Sequence, residues 1–167
     1  YEIASCLVGS EMCIRDSAAT VRTNAGVDFD FKLGVMVETP RAALRANDIA
    51  INSAFLSFGT NDLTQMTYGL SRDDAGRFMS TYVQQGVFPE DPFHTLDVEG
   101  VGELLRLGAE RARTSSPEVV ISICGEHGGS PESIAFCRNH GFDYVSCSPY
   151  RVPVARLAAA QAQIKKN

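Results

Sequence analysis

Four short apolar runs punctuate the chain, and each gives way to a polar residue and then to a helix-forming stretch. Residues 32–37 (KLGVMV) end at Glu38, and residues 54–58 (AFLSF) stop at Gly59-Thr60. Residues 119–123 (VVISI) end at Cys124-Gly125, and residues 143–146 (DYVS) form the fourth run. Short β-branched apolar segments of this kind read as buried strands. Between them, Thr39-Pro40 has the form of an N-cap and a first helical residue, with a helix expected to about Asn47. A polar helical turn is expected from Asn61-Asp62. Residues 101–113 carry apolar or small positions 101, 104, 105 and 108 on one helical face. Ser130-Pro131 opens a further helix closed by Gly141, and residues 152 to about 165 form an Ala-rich last helix with a cationic end. Strand and helix therefore alternate four times, which means parallel strands joined by helical crossovers. The fold class is α/β, and a doubly wound sheet or part of a barrel satisfies the pattern equally. Residues 70–99 read as loop and short helix, long enough to be a functional or separately packed excursion.

Composition narrows the function classes. The 167 residues are 44% hydrophobic and 21% charged, which excludes collagenous, disordered and disulfide-framework chains. No apolar run approaches the roughly 18–20 residues of a membrane span, so no membrane partner is expected. A net charge of −5 argues against a dedicated nucleic-acid binder. Five cysteines, an odd number with no framework spacing, fit a reducing compartment, and a cytoplasmic location is expected.

The first seventeen residues, YEIASCLVGSEMCIRDS, have mixed polarity and no steady period, and they lack the basic start and apolar core of a signal peptide. Residues 7–17 back-translate into the string of a transposase-type sequencing-library adapter, and Tyr1-Glu2-Ile3 into a flow-cell primer end. Residues 1–17 are accordingly read as translated adapter, leaving 18–167 for fold reasoning. That removes Cys6, Cys13, one arginine and three acids, so the charge moves from −5 to −3. The remaining cysteines are Cys124, Cys137 and Cys147.

Polar chemistry collects after the strands: Glu38, then Asn61 and Asp62, then Cys124, Glu126 and His127, then Ser146, Cys147 and Ser148. Parallel α/β folds place the carboxyl ends of their strands on one face, where sites are built. Glu38 and Asp62 are hard oxygen donors of the kind Mg2+ takes one or two of. They serve equally well as a helix cap and a turn former. Cys124 reads as a nucleophile or proton donor, or as a small buried hydrophobe. His127 reads as an acid or base, or as a loop residue bonded to backbone. Gly128-Gly129 before Ser130 suits an anion cradle or a plain turn. Arg41, Arg72, Arg77 and Arg151 are the cations near these segments; Arg72, in the loop after Asp62, could meet a phosphate or carboxylate, and each also reads as a solvated surface charge, Arg77 more so than Arg72. Cys124 and His127 have no second pair at zinc spacing.

Four blocks in order, GVMVETPRAAL, FLSFGTNDLTQMTYGLSRDDAGRF, ICGEHGGSPESIAF and DYVSCSPYRVPVARLAAAQ, resemble the pyruvate, phosphate dikinase family of phosphoenolpyruvate-utilising enzymes. The resemblance covers nearly all of residues 30–164 and is to the C-terminal phosphoenolpyruvate/pyruvate-binding domain. It implies the C-terminal half of a (β/α)8 TIM barrel, with about four strands and therefore incomplete. It also implies Mg2+ held by Glu38 and Asp62, a substrate-binding set of Glu38, Gly59, Thr60, Asn61, Asp62 and Arg72, and Cys124 as the acid that protonates an enolate carbon. An ordinary thiol, with a pKa near about 8.5, suits that donor role. GEHGG after Cys124 and the insertion with DPFHTLD look like the dikinase rather than its relatives, phosphoenolpyruvate synthase and the phosphoenolpyruvate-protein phosphotransferase.

The implied whole enzyme interconverts pyruvate and phosphoenolpyruvate, coupled to ATP and phosphate giving AMP and diphosphate through a phosphohistidine. It would be a homodimer, cytoplasmic, or plastid-located if from a plant. Its phosphohistidine domain, nucleotide-binding domain and first barrel strands have no counterpart here, so this fragment alone is expected to be inactive. The competing readings are one of the two related enzymes or a non-catalytic binding module.

Overall fold

The computed structural model describes residues 2–164, with side chains from residue 11 onward. Tyr1, the side chain of Cys6 and the expected helix end at Lys165 lie outside the described residues. The chain divides into two units, residues up to Leu33 and residues from Gly34.

The first unit is a helix, α1 (Glu2–Ala25), followed by an irregular tail. No described side chain in it is buried. This agrees with the absence of an apolar period in the sequence: a helix without an apolar stripe has nothing to bury. In the last turn of α1 the Arg22 guanidinium pairs with Asp28 of the tail at 3.3 Å and lies 5.0 Å from the centre of the Phe29 ring.

The second unit carries the expected alternation. Its strands are β1 (Gly34–Val37), β2 (Phe55–Gly59), β3 (Val120–Cys124) and β4 (Tyr144–Val145). All pair in parallel, in the spatial order β1-β2-β3-β4. Each strand lies within two residues of its expected bounds. The first starts two residues late because Lys32 and Leu33 make no ladder, and the fourth shortens to a pair. The helices are α2 (Pro40–Leu44), α3 (Ala46–Ala50), α4 (Thr60–Tyr68), α5 (Arg72–Ala75), α6 (Met79–Gln84), α7 (Val101–Ser115), α8 (Pro131–Asn139) and α9 (Val152–Ile164). The single helix expected from Arg41 to Asn47 is broken at Arg45, whose φ and ψ of −110° and 22° leave the helical region.

Sequence signals set the ends of these elements. Thr39 caps α2, its hydroxyl accepting from the Ala42 N–H at 3.2 Å, with Pro40 as the first helical residue. Ser130 caps α8 in the same way through Ser133. Gly69, left-handed at φ 65°, closes α4.

One face of the sheet is the core. Val35 and Val37, Leu56 and Phe58, and Ile121 and Ile123 all face it and pack with Ala43, Ala46, Leu63, Leu105, Ala109 and Ala112 from the helices. Phe58 meets Phe142 edge to face at 5.7 Å and lies under α7, where a Cβ at Gly108 would come within 2.7 Å of its ring. Strand order that never reverses, with the helix-packed residues all on one parity, decides between the two α/β readings. A doubly wound sheet reverses its order and is covered on both faces, whereas this arrangement is a partial barrel. The excursion between β2 and β3 forms a small core of its own, with Ala75, Met79 and Phe93 buried against Phe78 and Phe88.

Candidate functional site at the carboxyl ends of the strands

Alternation along a strand sends successive side chains to opposite faces. With Val35, Val37, Phe58, Ile121 and Ile123 committed to the core, Met36, Ser57, Ser122 and Cys124 belong to the other face. Register then sets neighbours: Val37 pairs with Phe58, and Gly59 with Cys124. The residues after β1, β2 and β3 therefore gather at one end.

Glu38 and Asp62 meet there. The Glu38 side chain lies against Gly59, where a Cβ would come within 2.7 Å of its Oε1. Burial pushes the Glu38 carboxyl above the ordinary glutamate range, and the negative charge of Asp62 and a hydrogen bond with that carboxyl push it further. Two carboxyl groups this close resist joint ionisation unless a cation is shared between them. Among the described residues no group of three or more His, Cys, Asp or Glu could hold a metal ion. Two neighbouring carboxylates are donors of the kind a hard cation takes, with its other positions left to water or substrate.

Asp62 is tied into the next loop. Its Oδ1 accepts from Gln65 Nε2 at 3.0 Å, and Gln65 Oε1 accepts from the Arg72 backbone N–H at 2.7 Å. Gln65 was not singled out from the sequence. Its position one helical turn after Asp62 on a polar face is the signal that could have found it. The Arg72 guanidinium reaches Glu126 Oε1 at 3.4 Å, a half-exposed pair. Arg77 pairs with Asp74 at 3.7 Å in solvent, as a surface charge should.

Cys124 ends β3, partly buried, with its Sγ 3.7 Å from the Phe58 carbonyl and 3.9 Å from Met36 Sδ. After it, Gly125 takes φ 113°, a region that favours glycine, and a Cβ there would lie 2.8 Å from Thr60 Oγ1. That turn brings the Glu126 N–H to Asn61 Oδ1 at 3.4 Å. His127 is fully buried, with Nδ1 2.8 Å from Thr60 Oγ1 and Nε2 3.0 Å from the Pro92 carbonyl. It is therefore the backbone-bonded loop residue of the two readings open in the sequence. Gly128 permits contact with the neighbouring strand end: a Cβ there would sit 2.0 Å from the Ser146 carbonyl oxygen. Cys137 is buried in α8, which pushes its thiol up to about 12, and it takes no part here.

Glu38, Gly59, Thr60, Asn61, Asp62, Arg72 and Cys124 thus gather around three adjacent strand ends. The fourth strand end contributes Ser146 as a packing contact, while Cys147 packs with Ile134, Ala155 and Ala158. A surface depression lined by Ser53, Ser116 and Glu118 lies at the opposite, amino end of β2 and β3.

An α/β chain with paired carboxylates and a thiol at these ends is matched over residues 7–164 by the profile of the phosphoenolpyruvate-binding domain of phosphoenolpyruvate-utilising enzymes. The chain belongs to that family. Its relatives include the pyruvate, phosphate dikinase of Rhizobium meliloti (strain 1021), 59% identical over 147 residues, which are 88% of this chain and 16% of the relative. A pyruvate, phosphate dikinase of Zea mays is 56% identical over 151 residues, 90% of this chain and 17% of the relative. The chloroplastic pyruvate, phosphate dikinase of Flaveria pringlei is 54% identical over 151 residues, 90% and 16% respectively. The chain therefore spans about one sixth of the length of these relatives. No helix among the described residues is long and apolar enough to cross a membrane.

Proposed function

We propose that this chain is part of the pyruvate/phosphoenolpyruvate half-site of a pyruvate, phosphate dikinase. The observation that carries the reading is the meeting of Glu38 and Asp62 beside Cys124, on strand ends that pairing makes neighbours. Glu38 and Asp62 would hold Mg2+, which supplies electrostatic stabilisation of the oxyanion that develops on the substrate. Gly59, Thr60 and Asn61 shape the loop that receives the substrate, and Arg72, now against Glu126, offers a guanidinium to a phosphate or carboxylate.

Cys124 manages the proton. When the phosphoryl group leaves phosphoenolpyruvate for a phosphohistidine domain elsewhere in the enzyme, the P–O bond breaks and an enolate remains. The enolate carbon takes the proton of the Cys124 thiol, giving pyruvate and a thiolate. In the other direction the thiolate removes a proton from the pyruvate methyl group, and the enolate oxygen takes the phosphoryl group. The whole enzyme would couple this to ATP and phosphate giving AMP and diphosphate, as a homodimer in the cytoplasm or a plastid.

The test is Cys124→Ser in the full-length enzyme that carries this chain. Phosphoenolpyruvate binding should be retained and turnover lost, and full activity in that variant would remove the proton-donor role. Residues 1–17 we read as translated adapter on the strength of their back-translation. The family match begins at residue 7, so adapter-trimmed upstream DNA decides the matter, and genomic sequence continuing through these codons would overturn it.

A further inference from the structure

We propose that His127 is the positioning residue of this site. It ties the end of β2, the end of β3 and the DPFHTLD excursion together through a ring of fixed tautomer, and so sets Cys124 and Asn61 against the substrate. The inference rests on the half-site reading above and adds to it a residue that never touches substrate.

Hydrogen-bond logic carries the argument. The Pro92 carbonyl can only accept, so Nε2 at 3.0 Å must carry a proton. The ring has no exposed surface, and that burial lowers its affinity for a second proton. Nδ1 is then bare and can only accept, with the Thr60 hydroxyl 2.8 Å away. The same hydroxyl oxygen lies 2.9 Å from the Cys124 carbonyl. The one hydroxyl proton thus has two acceptors within reach, the His127 ring and the Cys124 carbonyl. Thr60 opens α4, which carries Asn61 and Asp62, so a shift of that hydroxyl is a shift of the substrate loop. The charged and titratable groups whose fields reach the ring are Glu126, His94 and Arg72.

The contact joins two separate sequence features. GEHGG and DPFHTLD are the segments that look like the dikinase and not like its relatives. Here they meet in a single bond from the His127 ring to the Pro92 backbone. Phe93, next to Pro92, is buried in the excursion's own core, so the bond anchors a packed body and not a loose loop.

The test uses His127→Ala, His127→Asn and His127→Gln in the full-length enzyme. The amide of asparagine reaches the place of Nδ1 and keeps the Thr60 contact; that of glutamine reaches the place of Nε2 and keeps only Pro92. His127→Ala should lower kcat for pyruvate formation on the order of 10–100-fold, the scale of a small misplacement of reacting groups. KM for phosphoenolpyruvate should stay within about threefold, and ATP-dependent phosphorylation of the enzyme should be unchanged. His127→Asn should recover most of the rate, and His127→Gln should not. A structural role would instead lower all three variants together with their Tm, and that outcome overturns the proposal. So does wild-type kcat in His127→Ala, or better rescue by glutamine. An unmutated enzyme that neither makes nor consumes pyruvate would sink the half-site reading instead. Imidazole 15N NMR gives a readout independent of activity. The signal that vanishes in His127→Asn should show the Nε2–H tautomer at neutral pH, and an Nδ1–H tautomer would overturn the proposal.

Discussion

The longest helix among the described residues and the two longest strands make an instructive pair. α1 runs 24 residues with no described side chain buried. β2 and β3 have five residues each, and Leu56, Phe58, Ile121 and Ile123 on them are completely buried. Regular backbone is thus no measure of a folded unit. A helix gains most of its stability in proteins from packing an apolar face, and α1 has none to pack. The strands are short, but every second residue enters a shared core.

The largest effect should separate the two at once. Phe58→Ala should cost about 3–5 kcal/mol in urea unfolding of the second unit, as for a large aromatic removed from a packed core. Met12→Ala in α1 should change nothing measurable, Met12 being 59% exposed. Hydrogen exchange should agree, with amides of β2 and β3 exchanging only on global unfolding and those of α1 exchanging near the unprotected rate. Slow exchange along α1 would break the comparison.

Next comes the buried ring between the strand ends. Burial lowers the His127 pKa below its ordinary 6.5, so the unfolded chain binds the proton more readily than the folded one. Its contribution is therefore complete above about pH 6.5 and is lost as pH falls toward the lowered value, with a slope of at most about 1.4 kcal/mol per pH unit. Unfolding curves across that range should show the loss for the native chain and a flatter profile for His127→Asn. Smaller still, Thr39→Ala removes the cap of α2 and should cost about 1 kcal/mol in the same assay. Smallest of all, Arg106→Ala should lose no more than about 0.5 kcal/mol, because its bonds to Glu110 and Glu103 on α7 lie in solvent.

Much of this was legible in the sequence because period and punctuation act locally. The apolar runs placed four strands within a residue or two, and Thr39-Pro40 and Ser130-Pro131 marked two helix starts that the backbone keeps. Strand-end polarity gathered Glu38, Asp62 and Cys124 before any coordinates. What stayed hidden depends on contacts far apart along the chain. Local spacing left the doubly wound and barrel forms equal, since both alternate strand and helix, and only the spatial order separates them. His127 could not be told from an acid or base, because its partners are Thr60 and Pro92, 67 and 35 residues away. The break at Arg45 was missed because helix-forming residues continue through it.

The two-residue alternation of β1, β2 and β3 has an evolutionary consequence. Val37, Leu56, Phe58, Ile121 and Ile123 answer to stability, whereas Met36, Ser57, Ser122 and Cys124 point the other way and answer to whatever occupies that side. Drift can therefore retune the lining of the site one strand position at a time, and selection on the core has no vote on those changes.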